Sequence, residues 1–259
     1  MKPIQPLVDL QAIDLAIGGQ SILRQVSLKV YPKEIVAMVG ESGSGKSITA
    51  LSLLGLLPKN TQLQAAKMDF DGKDLRRCTP KDWQQLRGRS IGMIFQEPQS
   101  SLNPSIRLGK QLLEVLQQHT RFSKKEQNQK IEEALLEVQL TDPKRIIKSY
   151  PHQISGGQKQ RVAIIRSLIL QPDIIVMDEP TASLDPEMTS EVVSMIQEIK
   201  KTNITIIIVT HDLHVAKNAA DKILFIAEKE CQDFLKVDDF FTKDCLKSSH
   251  ATKFLNGSL

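Results

Sequence analysis

A glycine-rich loop between a buried strand and a helix constrains the fold of this chain more than any other segment. The loop, Gly40–Ser47 (GESGSGKS), matches the pattern G-x-x-x-x-G-K-[ST]. It follows the apolar run Glu34–Val39 and precedes the helical pattern Ser47–Leu57. Glycines at these spacings let successive backbone N–H groups point at one anion, and the positive end of the following helix adds to the attraction. We therefore predict an α/β core that binds the polyphosphate of a nucleotide.

Two carboxylates at the end of a later strand supply the metal chemistry that such a loop needs. The apolar run Ile174–Met177 leads directly into Asp178 and Glu179. In this pattern Lys46 reaches the β- and γ-phosphates, while the Ser47 hydroxyl ligates Mg²⁺. Asp178 is expected to orient the metal and its waters, and Glu179 to polarise the attacking water.

A third segment, Ser155–Gln158 (SGGQ), has the spacing of a capping box and predicts a helix N-terminus. Its two glycines leave the backbone open to an anion. On these residues alone, a simple capped helix is the alternative interpretation.

The remaining hydrophobic patterns predict how the chain is organised. Short alternating runs at Val8–Ala16 and Ile22–Val30 are typical of strands. From Gln96 to Leu170 the period becomes helical, then Glu187–Lys201 predicts an amphipathic helix and Ile204–Thr210 a buried strand. The economical interpretation is an α/β core interrupted by a helical insertion.

Composition excludes several classes of protein. The 259 residues are 41% hydrophobic and 25% charged, which is ordinary for a globular protein and unlike a disordered chain. The net charge of +4 is too small to indicate a nucleic-acid-binding surface by itself. No apolar run approaches the roughly 20 residues that cross a bilayer, and no secretory signal is recognised. We therefore expect a cytoplasmic chain unless a partner holds it elsewhere.

The motifs GESGSGKS, ISGGQ, IIVMDEP, the SLD of Ser183–Asp185 and the lone His211 in IIIVTHD occur in one order. Together they resemble the nucleotide-binding subunit of ATP-binding cassette (ABC) transporters. The resemblance runs from about Val8 to Phe225, which is most of the chain.

The resemblance implies an α/β fold class: a P-loop NTPase core with an antiparallel β-subdomain and an inserted α-helical subdomain. It divides the chain into a catalytic lobe (1–96 and 171–226), a helical lobe (97–170) and a short C-terminal tail (227–259). It also implies that neither ATP site is complete within one chain, because the signature Ser155–Gln158 caps the nucleotide bound by a second subunit.

The resemblance assigns a role to each matching residue. The implied catalytic residues are Glu179, His211, Lys46 and Gln96. The implied ATP-binding residues are Gly40, Glu41, Ser42, Gly43, Ser44, Gly45, Lys46, Ser47, Ile48, Ser155, Gly156, Gly157, Gln158 and Asp185. The implied Mg²⁺ ligands are Ser47, Gln96 and Asp178.

Two departures from the family pattern stand out. Ile17 occupies the position that looks like the family's adenine-stacking aromatic, so that stacking is expected to be lost. Glu228–Cys231 stands where the family usually has a glycine-turned hairpin, which leaves the fold of the C-terminal edge open.

The segments FQEPQSSLNPSIRLGKQL and SYPHQISGGQKQR resemble the oligopeptide, dipeptide and nickel importer branch. The implied function is an ATPase that energises import of small peptides or of nickel and other metal chelates, and the two solute classes stay open. The implied partners are a second nucleotide-binding subunit, transmembrane permease subunits and, indirectly, an extracytoplasmic solute-binding protein, with no nucleic acid. The chain would lie at the cytoplasmic face of the membrane.

Two alternatives come from other classes of protein. One is a soluble ABC protein that acts in translation or DNA repair. The other is a P-loop kinase or GTPase, which would leave ISGGQ and His211 unexplained.

Overall fold

A computed structural model describes residues 4–96, 101–182, 186–242, 246 and 248–257. Its centre is a six-stranded sheet with the strand order β11-β10-β3-β9-β8-β7. Five strands run parallel, and β11 pairs antiparallel with β10 at one edge. The strands are β3 (Ile35–Val39), β7 (Ile91–Ile94), β8 (Ile174–Asp178), β9 (Thr205–Thr210), β10 (Lys222–Ala227) and β11 (Glu230–Lys236).

A second sheet is antiparallel and comes from the first part of the chain. Its path is β2-β1-β5-β6, with β4 also paired to β1. The strands are β1 (Val8–Ile17), β2 (Gln20–Val30), β4 (Thr61–Gln64), β5 (Lys67–Phe70) and β6 (Lys73–Asp74). The predicted α/β class with an antiparallel subdomain is confirmed.

Strand β3 is buried on both faces, because other helices and strands pack against each side of the central sheet. Ile35, Ala37 and Val39 belong to one core cluster, and Val36 and Met38 to another. The first cluster is shared with α7 (Pro186–Lys201), α8 (Leu213–Ala219), α9 (Val237–Phe241) and α10 (Ser249–Gly257). The second is shared with the antiparallel sheet and α1 (Lys46–Leu53).

Helix α1 ends four residues before the predicted end at Leu57, because a glycine turn stops it. Gly55 adopts φ 61°, and a Cβ there would lie 2.5 Å from Trp83. The N–H groups of Leu56 and Gly55 donate to the carbonyls of Leu51 and Ser52 (3.0 and 3.1 Å), which is the Schellman pattern. The short helix α2 (Pro80–Leu86) begins, as predicted, after the capping residue Thr79.

The inserted helical segment has a core of its own. Its helices are α3 (Leu108–His119), α4 (Lys124–Glu137), α5 (Pro143–Lys148) and α6 (Gly156–Leu168). The predicted apolar faces meet inside it, since Leu112 and Leu116 of α3 and Ile131 and Leu135 of α4 are all buried. Helix α6 starts with the predicted capping box, in which the Ser155 hydroxyl accepts from Gln158 N at 3.3 Å.

The C-terminal edge forms a hairpin without glycine. Strands β10 and β11 are joined at Glu228 and Lys229, which adopt φ 50° and 72°. These left-handed conformations suit a two-residue turn but are costly for side chains with a Cβ. This chain lacks the glycine that the family usually has in this turn, but β10 and β11 still form an antiparallel hairpin.

The division into two lobes and a tail stays a prediction. The segment predicted as a tail contributes an edge strand, and Phe240, Ala251 and Leu255 are buried in the core beneath the large sheet. In the part of the chain that the structure describes, no helix has the length and apolarity to cross a membrane.

Candidate functional site

A cleft of about 770 Å³ opens where the parallel strands end, at the edge where α/β sheets bind ligands. Strands β3, β7, β8 and β9 all deliver residues to it within two positions of their last residues. Its lining residues are Ile22, Glu41, Ser42, Gly43, Gly45, Lys46, Ser47, Ile48, Gln96, Glu179, His211 and Phe254.

Gly43 and Gly45 of the glycine-rich loop are both required, for different reasons. Gly43 adopts φ 76° and has open space where a Cβ would be, so its conformation and not crowding selects glycine. Gly45 adopts φ 107°, and a Cβ there would lie 2.3 Å from Leu23 Cδ2 and 3.2 Å from the Ile22 carbonyl oxygen. Gly45 also caps α1, so the helix N-terminus faces the cleft.

Lys46 is buried, with 5% of its surface exposed, yet among the described residues no carboxylate forms an ion pair with its ammonium group. Its Nζ donates to the carbonyl oxygens of Gly40 (2.9 Å) and Glu41 (2.7 Å). Burial lowers the pKa of Lys46, while the charges of Glu179 and Asp178 act in the opposite direction. A cation held by carbonyl dipoles at a helix N-terminus is well placed to receive a phosphate oxygen.

Ser47 and Asp178 form the metal end of the cleft. Ser47 Oγ donates to Asp178 Oδ1 at 2.8 Å, although 131 residues separate them in sequence. Burial raises the pKa of Asp178, and the Ser47 hydrogen bond and the Lys46 charge oppose this shift. One hydroxyl and one carboxylate are a fitting donor set for Mg²⁺, which takes its other ligands from waters and substrate phosphates. In agreement, the described residues contain no group of three or more His, Cys, Asp and Glu side chains that would hold a metal alone.

Glu179 points a buried oxygen into the cleft. Its Oε2 is buried and lies 2.6 Å from His211 Nδ1, which is an ion-pair distance. His211 is 64% exposed on its side chain, and Glu179 is 17% exposed. Glu179 also adopts φ 48°, a conformation that is strained for a residue with a Cβ. A carboxylate held beside a histidine at a strained backbone position can orient a water molecule.

The signature residues lie apart from this cleft. Ser155 and Gly156 are exposed at the start of α6, and none of Ser155–Gln158 lines the cleft. Because the N-terminal N–H groups of a helix attract anions, this exposed helix end can meet a phosphate only outside the cleft of its own chain.

The structure brings most of the sequence-predicted site residues together. Those that line the cleft are Glu41, Ser42, Gly43, Gly45, Lys46, Ser47, Ile48, Gln96, Glu179 and His211. Gly40 and Ser44 lie in the same loop, and Asp178 joins it through Ser47. Asp185 lies outside the described residues.

Two cleft residues were missed from the sequence. Ile17 is not among the described residues that line the cleft; Ile22, on the next strand, lines it instead. Phe254 enters from α10, more than 200 positions from the loop. The i, i+4 pair Ala251 and Leu255 was the available signal that α10 buries one face, but no local pattern shows where its other face lies.

Comparison with known proteins places the chain in a family. The sequence profile of the ABC transporter family matches residues 23–182, more than half of the chain. The dipeptide transport ATP-binding protein DppD of Bacillus subtilis (strain 168) is 41% identical over 208 residues, which cover 80% of this chain. The chain spans less than two thirds of that relative, since the match covers 62% of its length.

Solved structures show the same fold. The cbiO1 protein of Clostridium perfringens, part of the ABC transporter complex cbiONQ, superposes with a TM-score of 0.82 at 25% identity. That match covers 93% of this chain and 92% of cbiO1. A dimeric ATP-binding cassette in a post-hydrolysis state, bound to ADP and Pi, gives a TM-score of 0.74 at 26% identity, covering 89% of this chain and 98% of that one.

Proposed function

The chain belongs to the ABC transporter family, and on this premise we propose that it is the ATP-hydrolysing subunit of a membrane importer for small peptides. The observation that carries the proposal is the convergence of the glycine-rich loop, Gln96, Glu179 and His211 on one cleft. A loop that binds phosphates needs these further groups only if the bound phosphate also reacts.

The cleft residues divide the work of phosphoryl transfer. Lys46 and the N–H groups of the loop hold the β- and γ-phosphates, while Ser47 and Asp178, with Gln96, would hold Mg²⁺. When bound there, Mg²⁺ would neutralise charge on the phosphate oxygens. Glu179 orients the attacking water, and His211 stabilises the γ-phosphate.

A second subunit completes the site. The signature Ser155–Gln158 is exposed, capped and outside its own cleft, so it is available to the nucleotide of another chain. The dimeric state of the cassette bound to ADP and Pi supports this arrangement. In the resulting dimer, ATP lies between the loop of one chain and the signature of the other, with Asp185 near the contact between the chains.

A groove of about 360 Å³ beside Gln96 suits the membrane partner. It lies between β7 and helices α3 and α6, and Phe95 at its edge is 47% exposed. Arg87, His119 and Arg166 add polar groups to this apolar surface. We assign this groove to the permease subunits, because a displacement of Gln96 on nucleotide binding would move residues at its edge. Binding to the permease would hold the chain at the cytoplasmic face of the membrane.

The names of relatives favour peptides as the solute. DppD is named for dipeptide transport, and the AppD protein of the same bacterium for oligopeptide transport. Nickel or another metal chelate remains the second solute class of this branch. Those names do not favour a soluble ABC protein that acts on nucleic acid or ribosomes.

The test replaces Glu179 by glutamine in the chain purified with its membrane subunits. Glu179→Gln should still bind ATP but lose at least about 100-fold in turnover, since water is no longer polarised. Phosphate release measures turnover, and Glu198→Gln, a surface carboxylate paired with Lys201, is the matched control. Undiminished phosphate release by the Glu179→Gln complex would overturn the proposal.

A further inference from the structure

The nucleotide cleft has one aromatic lining residue among those described, and it comes from the C-terminal helix. Phe254 lies on α10, while the other lining residues come from the glycine-rich loop, helix α1, strand β2 and the loops that follow β7, β8 and β9. The side chain is partly buried, so some of its surface faces the cleft. An aromatic ring at the edge of a phosphate-binding cleft has no use in binding phosphate, since it provides no hydrogen-bond donor.

Packing fixes the position of this ring. The Phe254 ring centroid lies 5.4 Å from that of Phe225 at an interplanar angle of 48°, and Phe225 lies 5.9 Å from Phe240 in the same way. Ala251 and Leu255, on the same helix, are 0% and 1% exposed. A ring packed on one aromatic ring, on a helix whose neighbouring residues are buried, is ordered before any ligand arrives.

The start of α10 is fixed as well. Ser248 N donates to Asp233 Oδ2 of β11 at 3.2 Å, and Ser248 Oγ accepts from His250 N at 3.1 Å. The start of the helix that carries Phe254 is therefore attached to the edge hairpin of the large sheet.

The strand order shows which end of the cleft Phe254 occupies. Gln96, Glu179 and His211 follow β7, β8 and β9, on one side of the loop that follows β3. Phe254 packs on Phe225 of β10, on the other side of β3. Since the γ-phosphate must meet Glu179 and His211, the base of the nucleotide points toward β10, where Ile22 and Phe254 lie.

We propose that Phe254 stacks against the base of the bound nucleoside triphosphate and takes over the role of the aromatic residue that Ile17 does not provide. This inference rests on the proposed function, because it concerns the same nucleotide. A phenyl ring makes no hydrogen bonds to base edges, so Phe254 contributes affinity for any base and does not choose between ATP and GTP.

The experiment separates contact with the base from contact with the phosphates. Titration calorimetry measures the affinity of the full chain for ATP and for inorganic tripolyphosphate, both with Mg²⁺. Phe254→Leu should weaken ATP binding about tenfold, as expected for loss of one base–aromatic stack, and leave tripolyphosphate binding unchanged. Phe254→Tyr keeps the ring and should restore the affinity for ATP.

Phe241→Leu is the matched control, because Phe241 belongs to the same aromatic cluster but does not line the cleft. It should leave both affinities unchanged. Equal ATP affinity in Phe254→Leu and the original chain would overturn the inference, and so would a parallel loss of tripolyphosphate binding, which would make Phe254 a support of the loop. Failure of the unaltered chain to bind either ligand would instead contradict the proposed function.

Discussion

The burial of Asp178 is expected to limit the pH range over which the proposed site binds Mg²⁺. Burial raises the pKa of its carboxyl group above the ordinary value of 3.8. Only the ionised form holds Mg²⁺, so we expect Mg²⁺-dependent binding of ATP to weaken on acidification at a higher pH than an exposed aspartate would allow. Calorimetric titrations across the acid range, with and without Mg²⁺, measure this dependence.

The same shift affects the stability of the chain without ligand. Because the folded state binds this proton more tightly than the unfolded state, ionised Asp178 costs stability above its folded pKa. Asp178→Asn should therefore lose the Mg²⁺-dependent part of the affinity while its thermal stability at neutral pH is equal or higher. A Mg²⁺ effect that persists in Asp178→Asn with the original pH profile would contradict the metal role of this residue.

At the scale of single residues, the sequence predicts the loop end of the cleft better than its opposite wall. Lys46, Ser47, Asp178 and Glu179 were predicted because parallel-strand ends and a glycine loop constrain the backbone that carries them. Contact with a base needs only an apolar surface, which any nearby element can supply. For that reason Phe254 was not predicted from the sequence, whereas the absence of an aromatic ring at Ile17 was visible in it.

Among the elements, the edge hairpin β10–β11 carries the clearest local conflict between sequence and structure. Glu228 adopts φ 50°, and the residue that follows also has a positive φ, where asparagine and glycine are favoured. Glu228→Asn should raise the free energy of unfolding by about 0.5–1 kcal/mol, because asparagine tolerates this conformation. The contact of Glu228 with His250 at 3.3 Å joins two well-exposed side chains, so its loss costs little.

Chemical denaturation of the nucleotide-free chain measures this change. Glu228→Gln is the control, since it removes the charge but keeps the backbone conflict, and it should be no more stable than the original chain. Equal stabilisation by both substitutions would assign the effect to charge and contradict the backbone explanation.

The helices and strands that were predicted well from the sequence are those with a local capping signal or a clear hydrophobic period. Helix α2 was predicted from Thr79 and Pro80, and α6 from its capping box. Helix α10 is different, because its position depends on Phe225, Phe240 and Asp233, which lie on other elements. Long-range packing of this kind leaves no local pattern to predict from.

On the scale of the whole molecule, α6 connects the exposed Ser155–Gln158 segment to Glu179, the proposed catalytic carboxylate of the same chain. Gln160 Nε2 donates to the carbonyl oxygen of Pro180, directly after Glu179, at 3.4 Å. Arg161 donates to the Val138 carbonyl oxygen (3.2 Å) and to Glu191 Oε2 on α7 (2.9 Å). A displacement of α6 by the nucleotide of a partner would therefore reach the loop that positions Glu179.

Mixing two inactive variants tests whether two copies of this chain share their sites. Lys46→Ala removes the phosphate contact, and Ser155→Arg blocks the signature with a bulky charge, so each homodimer has two broken sites. A mixed dimer pairs the intact loop of the Ser155→Arg chain with the intact signature of the Lys46→Ala chain. If the sites are independent, an equal mixture should recover about a quarter of the original ATPase activity, since half of the dimers are mixed and each has one intact site.

Phosphate release from the mixture, measured against each variant alone at the same total concentration, gives the result. Mixing Lys46→Ala with a Lys46→Ala, Ser155→Arg double variant is the control, because none of its dimers contains an intact loop. Activity in the first mixture that stays at the level of this control would contradict a site shared between two copies. It would point instead to a different nucleotide-binding subunit as the source of the second signature, since the signature of this chain lies outside its own cleft.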